Sequence, residues 1–370
     1  MPLIPTNILA QADKILFIVP VQLSHFLYLQ NYLRAFALAH PHIKIDLLLD
    51  HHDKTRLFWR WKHLKKHVVF DLLINCPFIH YVYKDTHSPG AFKRSLHQAR
   101  LQHYPIVVSL MMQRPHVYAR HAHTISPAGV KVGIRVDPHW TNIVRRWYYK
   151  KQHASLPYCP VKTPKAIVTD TYTTWFNDLF DLPLSPADEM AQVTIPNKWV
   201  VYGKLHLLKL GIDKRSKKFS KVLFINPGTT SHKNSWPFER VIEFICAIKK
   251  YDAWGDVSFI INVLPVHMHQ AQKFFSFHAP TNTYLFCASH NIFQLMSVMA
   301  LVDIVISIDG ALVHLANALA RPIVVLAGLH DDQNYPIKHV RNVITTLGGR
   351  GSLAGISTAD IVQAVQGMSG

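Results

Sequence analysis

The sequence contains no uninterrupted apolar run of about 18 residues, the length a membrane-crossing helix needs. It also lacks the pattern of a signal peptide at its start. Met1–Lys14 holds polar residues and two prolines, and the apolar run after Lys14 is interrupted by Pro20, Gln22, Ser24 and His25. A protein without an export signal and not integral to a membrane is expected. Cysteine is scarce: Cys76, Cys159, Cys246 and Cys287 are the four, and no pair has CxxC spacing. Zinc and redox chemistry are therefore poorly supported. Reduced, mostly buried thiols are expected, as suits a cytoplasm. Acidic residues are few, with 22 Asp and Glu against 40 Lys and Arg, a net charge of +18. The imbalance is uneven. Residues 1–214 hold about 27 basic and 13 acidic side chains, and residues 215–370 about 13 and 9. A first half this basic faces something acidic: nucleic acid, an anionic membrane surface or a phosphorylated acceptor. No repeat of fixed period and no low-complexity tract is present.

What the chain does have is core material. It is 49% hydrophobic and 11% aromatic over 370 residues, which fits two folded domains and argues against disorder. Apolar, β-rich segments alternate with stretches of helical spacing. Lys14–Val21 reads as a strand and Ser24–Ala39 as a helix, with Phe26, Leu29, Leu33 and Phe36 on one stripe. Ile43–Leu49, Val68–Ile74, Ile106–Leu110 and Val130–Ile134 are further strand candidates. Asn197–Leu210 reads as a helix, and the polar, basic stretch Gly211–Ser220 as a connector. Residues 1–214 and 215–370 are thus expected to be separate domains. The second repeats the alternation. Val222–Asn226, Val257–Leu264, Asp303–Ile308 and Ile323–Ala327 are its strands, and Ile292–Ala300, Ala311–Ala320 and Thr358–Gln366 its helices. The fold class is α/β, two doubly wound Rossmann-like domains facing a central cleft. Ligands in such sheets bind beyond the carboxyl ends of strands, which directs attention to the loops after Asn226 and Ile308.

The first of these loops runs from a strand through small residues into a helix. Gly228 permits a close turn, Thr229 and Thr230 offer hydroxyls, Lys233 is a mobile cation, and Pro237 suits a first helical turn. Such a set can hold a pyrophosphate or form an ordinary strand–helix turn. In the second, a buried strand delivers Asp309 to its carboxyl end. Gly310 and Ala311 then open a helix, with His314 one turn in, near enough to donate to a bound phosphate. Asp309 alone could be a plain N-cap and His314 alone a core histidine; their pairing on one loop favours a site.

Together the two segments resemble glycosyltransferase family 9, the ADP-heptose:lipopolysaccharide heptosyltransferases. The matching residues are Asn226-Pro-Gly, Thr229, Thr230, Lys233 and Trp236-Pro237, then Asp309-Gly-Ala-Leu-Val-His314-Leu, in order over roughly Val222–Gly328. The resemblance implies a GT-B fold and inverting sugar transfer without a metal or resident cofactor. It implies that Thr229, Thr230 and Lys233 contact donor phosphates and that Asp309, Gly310, Ala311 and His314 form the second wall. Lys233 would stabilise the leaving nucleoside diphosphate. Three departures mark the chain as atypical. Gly310 directly follows Asp309, where the family places its glycine one position later. Lys233 stands one residue farther from Trp236-Pro237. Pro265–Gln270 offers no counterpart to the family's ribose-contacting glutamate, so ADP is inherited from the resemblance.

The family's Gly-Asp pair after the first strand, whose Asp is expected to deprotonate the acceptor, is also missing. The region reads Pro20-Val-Gln-Leu-Ser24-His25-Phe, and His25 falls at or beside that position. A histidine can serve as general base near neutral pH. Another carboxylate, or a positioning role for His25, are the alternatives. For an acidic glycolipid acceptor the candidates are Arg60, Lys62, Arg114, Arg120 and Arg135. Arg60 and Lys62 lie in Lys54–Lys66, a run of cations and tryptophans echoed by Arg145–Lys151. Such runs suit an anionic inner-membrane surface, and their composition also suits single-stranded nucleic acid. The paired phosphate loops argue against a nucleic-acid-binding protein. His121/His123 and His267/His269 are expected at the surface.

Overall fold

The computed structural model describes residues 2–50, 61–136, 143–157, 168–185, 193–213, 221–228, 235–289, 291–308, 310–327 and 353–368. The chain divides into two compact units, Met1–Met190 and Ala191–Gly370.

The first unit is built on strands β1 (Lys14–Pro20), β2 (Lys44–Asp50), β3 (Ile79–Tyr83), β4 (Ile106–Ser109), β5 (Val130–Arg135) and β6 (Ala154–Pro157). They form one sheet in the order β3-β2-β1-β4-β5-β6, every pair parallel. Its described helices are α1 (Thr6–Gln11), α2 (Leu23–Ala39), α3 (Trp61–Lys65), α4 (Val69–Leu72), α5 (Pro89–Leu101), α6 (Pro115–Ile125), α7 (Ile143–Tyr149) and α8 (Val168–Phe180). Ile15–Val19 of β1 are wholly buried, as a central parallel strand covered on both faces must be. The stripe read on α2 is inside: Phe26, Leu29, Leu33 and Phe36 are all fully buried. An aromatic cluster of Phe17, Tyr32, Phe36, Phe176 and Phe180 pins α8 to α2 and β1.

The second unit carries β7 (Val222–Asn226), β8 (Ser258–Asn262), β9 (Thr283–Phe286), β10 (Ile304–Ile308) and β11 (Ile323–Leu326), in the parallel order β11-β10-β7-β8-β9. Its described helices are α9 (Asn197–Lys209), α10 (Phe238–Ile248), α11 (Met268–His278), α12 (Ile292–Met299), α13 (Ala311–Ala318) and α14 (Thr358–Gly367). The core gathers β7, β8 and β10 against α10, α11 and α14, with Ile225, Phe244, Ile261, Ile306 and Val365 at its centre.

Three expectations change. Val68–Ile74 is not a strand: it forms α4 and a following 3-10 turn to Asn75, burying Val69, Leu72 and Cys76 at helical spacing. The partner of β2 is β3, an edge strand whose His80 and Tyr81 are exposed and whose sequence shows no buried run. The second change concerns the boundary, expected after residue 214. Helix α9 packs on α12, and Gly203 makes this possible. A Cβ there would stand 2.6 Å from the Ser297 carbonyl oxygen. The division therefore precedes α9. The third change concerns polar side chains. Cys76 is buried, its thiol pushed up to about 12 by burial, but Cys246 is exposed and Cys287 half-buried. His121 packs on Phe92 and Tyr118 rather than standing free at the surface.

Histidines give the fold a pH dependence. Desolvation is the largest cause lowering His40, His67, His87, His116, His123 and His206 below 6.5. Their folded values lie below their unfolded ones, so the unfolded chain binds more protons as pH falls through 6.5. Stability is retained above that value and lost below it. The urea midpoint is expected to drop progressively between pH 7 and pH 5. A midpoint that stays flat over this window would show that these rings take up protons freely in the folded state.

Candidate functional site

The order of the second sheet places its switch point between β7 and β10. From β7 the chain proceeds to β8 on one side, then returns across to β10 on the other. Adjacent strands therefore release their loops in opposite directions, which opens a crevice at the carboxyl edge. The loops that leave there are those after Asn226 and Ile308. Both were singled out from sequence.

A buried polar chain ties these strand ends together. The Asn262 amide donates to Asn226 Oδ1 at 2.9 Å, Asn226 Nδ2 donates to Ser307 Oγ at 3.0 Å, and Ser307 Oγ donates to the Ile308 carbonyl at 2.8 Å. All three side chains are buried. The donors run in one direction, from β8 through β7 to β10, and fix both loop origins. Asn226→Ala would leave the Asn262 amide and the Ser307 oxygen each short of a partner. A loss of about 1–3 kcal/mol in stability is expected. An unchanged urea unfolding curve would show that this polar chain contributes nothing to the strand ends.

Pro227 and Gly228 follow Asn226, and the Trp236 backbone N–H donates to the Pro227 carbonyl at 2.6 Å, closing the base of the loop. Thr229, Thr230 and Lys233 lie within it, outside the described residues. Trp236 is buried against Phe244. Its indole Nε1 has no partner among the described residues. Beside this loop base is a cavity of about 520 Å³, lined by Gly228, Trp236, Phe238, Leu264, Lys273 and Phe274 among others. Its aromatic wall, Phe238 against Phe274 at 5.7 Å, suits a flat ring, and Lys273 supplies a positive charge.

Asp309 is also outside the described residues, but Gly310 is not. It has φ 148° and ψ −166°, a region that glycine alone adopts readily. No atom lies within 4 Å of where its Cβ would be, so conformation rather than crowding demands glycine here. This gives the shifted family glycine a physical reason: Ala311 is already the first helical residue. Among the described residues no side chain caps the start of α13, and its first turn has no acid, so the N–H groups of Ala311 and Leu312 suit an anion. His314 lies one turn into α13. Val313 through Ala316 are all buried, with His314 at 7% exposure.

In the first unit, His25 lies in the first turn of α2, beyond the carboxyl end of β1. Its Nδ1 is 3.1 Å from the Tyr172 hydroxyl. Tyr172 is completely buried and its phenol is pushed well above its ordinary value by desolvation, so it stays protonated. His25 thus has a neutral phenol as partner. Which of the two groups donates depends on the histidine tautomer: Nδ1–H can donate to the phenol oxygen, or the phenol O–H can donate to Nδ1. Arg114 and Arg135 gather at the carboxyl edge of the first sheet. Arg114 precedes α6 in a left-handed conformation, with φ 50°, and Arg135 ends the neighbouring β5. Arg145 joins them: after burial, its charge and that of Arg114 hold His116 down. Arg120 stands apart on the exposed face of α6, 5.8 Å from the Tyr148 ring. Arg60 lies outside the described residues, as does the side chain of Lys62.

Some residues at these edges were not foreseen. Asp50, at the end of β2, is fully buried and accepts from the Tyr118 hydroxyl at 2.5 Å. It lies one residue beyond the strand as read from sequence, and its burial separates it from any acceptor. Tyr172, Asn262 and Ser307 carried no local signal, because each acts through a distant partner.

Two parallel doubly wound units are the architecture of the GT-B fold. Residues 203–358 match the model of glycosyltransferase family 9 (heptosyltransferase). A comparison with curated proteins gave no match in sequence. Similar solved structures include a glycosyl transferase family 9 protein from Veillonella parvula, with TM-score 0.71, 13% identity and coverage of 96% of this chain and 97% of that one. The ADP-heptose LPS heptosyltransferase II of E. coli gives 0.65, 16%, 96% and 98%. E. coli heptosyltransferase WaaC with ADP gives 0.60, 14%, 96% and 97%.

Proposed function

We propose that this enzyme transfers heptose, with inversion, from ADP-heptose to the inner core of lipopolysaccharide or lipooligosaccharide. The observation that carries this is that the Asn226 and Ile308 loops leave adjacent strand ends at the switch point of the second sheet, within the region matched by the family model. Thr229, Thr230 and Lys233 hold the diphosphate from one loop, and Asp309, Gly310, Ala311 and His314 form the second wall of the donor site, with the backbone N–H groups of Gly310 and Ala311 toward the phosphates. The donor base lies toward the aromatic cavity. No metal takes part: Lys233 and the N-terminus of α13 supply the positive potential that the leaving ADP needs. His25 removes the proton of the acceptor hydroxyl. Arg114 and Arg135, with Arg60, Lys62 and Arg120, meet an acidic glycolipid at the cytoplasmic face of the inner membrane.

One observation favours a second nucleotide sugar as donor. Pro265–Gln270 has no carboxylate, and His269 and Gln270 there are exposed. A mass-spectrometric screen of nucleotide sugars against truncated core acceptors separates the two. Product from ADP-heptose alone supports the first. Product from another donor alone replaces it.

A further inference from the structure

Helix α7 has an outward face that the sugar-transfer site does not use. Tyr149 is buried and sets its orientation, so the opposite face points away from the unit. That face carries Ile143 at 75% exposure, Val144 at 66% and Trp147 at 53%. Three large apolar side chains this exposed on two turns of helix are not accounted for by packing. Cations surround them. Arg145, Arg146 and Lys150 are exposed, and Lys151 Nζ sits 3.8 Å from the Trp147 ring centroid. Arg120 of the neighbouring α6 extends the patch over Tyr148. Acidic residues are almost absent from this part of the chain: between Asp85 and Asp170 there is only Asp137.

We propose that α7 and Lys150–Lys151 form a docking face for an anionic lipid bilayer. Trp147 enters at headgroup depth, Ile143 and Val144 bury beside it, and Arg146, Lys150 and Lys151 meet the lipid phosphates. The charge matches such a surface, and the aliphatic pair decides between bilayer and nucleic acid. Bases stack on aromatic faces and gain little from Ile143 and Val144, whereas acyl chains gain from both. The purpose of the face rests on the proposed lipid-linked acceptor; the docking is read from α7 alone.

The test uses the full chain and sedimentation with vesicles. Wild-type protein is expected to bind phosphatidylethanolamine vesicles rich in phosphatidylglycerol, and to bind pure phosphatidylcholine vesicles far less. The double variants Arg146→Glu/Lys150→Glu and Ile143→Ser/Trp147→Ser are each expected to weaken binding by on the order of tenfold or more. All four positions are exposed, so the fold is retained, which a circular dichroism melt checks. Sugar transfer to a water-soluble truncated acceptor is expected to stay unchanged in both. That activity is measured without lipid and vesicle binding without donor, so failure of the transferase proposal and failure of the docking proposal are told apart. Wild-type protein that ignores anionic vesicles, or variants that bind as wild type does, would overturn the proposal. So would loss of single-stranded RNA binding in the charge reversal, with vesicles never bound.

Discussion

Lys233→Ala is expected to abolish the thermal stabilisation given by ADP and to lower kcat/KM for transfer by about a hundred- to a thousandfold. Between Gly228 and Trp236 the sequence has no other lysine or arginine. The diphosphate gains charge as the glycosidic bond breaks, so a cation held there stabilises the transition state more than the bound donor. The rate should therefore fall even at saturating donor. Lys233→Arg keeps the charge but changes its shape and reach, and should recover only part of the loss. Differential scanning fluorimetry with ADP, followed by transfer kinetics, measures both effects. An ADP shift that persists in Lys233→Ala would remove this lysine from the donor site.

His25→Ala is expected to reduce kcat by about a hundred- to ten-thousandfold, the range for losing a positioned general base, while ADP affinity is unaffected. The Tyr172 hydroxyl orients the ring through Nδ1 but stays neutral, so it gives the imidazolium little charge stabilisation. Tyr172→Phe should accordingly cost about tenfold or less, in line with one hydrogen bond. A base and its positioning residue are thereby separated by the size of the loss. Turnover in His25→Ala equal to wild type would end the proposal for this histidine.

The two sheets were legible where their strands are central. Ile15–Val19, Val222–Asn226 and Ile304–Ile308 are buried on both faces and read as apolar runs. The edge strands β3 and β9 were not. His80 and Tyr81 of β3 face solvent, and Thr283–Leu285 of β9 are only half-buried, so neither strand announced itself. Val68–Ile74 misled for the opposite reason: an apolar run of that length serves helix and strand alike. The helix α9 was correctly bounded but assigned to the wrong unit, because its partner Ser297 lies about a hundred residues on.

The site divided in the same way. The loops after Asn226 and Ile308 drew attention in the sequence because each concentrates its small and charged residues within a dozen positions. The side chains that hold those loops could not. Asn226 meets Ser307 across 81 residues and Asn262 across 36, and asparagine and serine are common in strands that have no such role. Gly310 looked like a departure from the family until its dihedral angles showed what the position requires.

The pairing of β7 with β10 also bears on how the second unit folds. Val222 N–H meets the Asp303 carboxylate across 81 residues, and the rest of the ladder spans similar separations. The neighbouring contact of β7 with β8 closes a much shorter loop, so it is favoured to form first. On a growing chain β10 emerges last of the strands that meet at the crevice. The edge proposed to take the donor is therefore among the final parts of the sheet to be completed, and acquisition of nucleotide binding during refolding should track the closing step rather than the initial collapse.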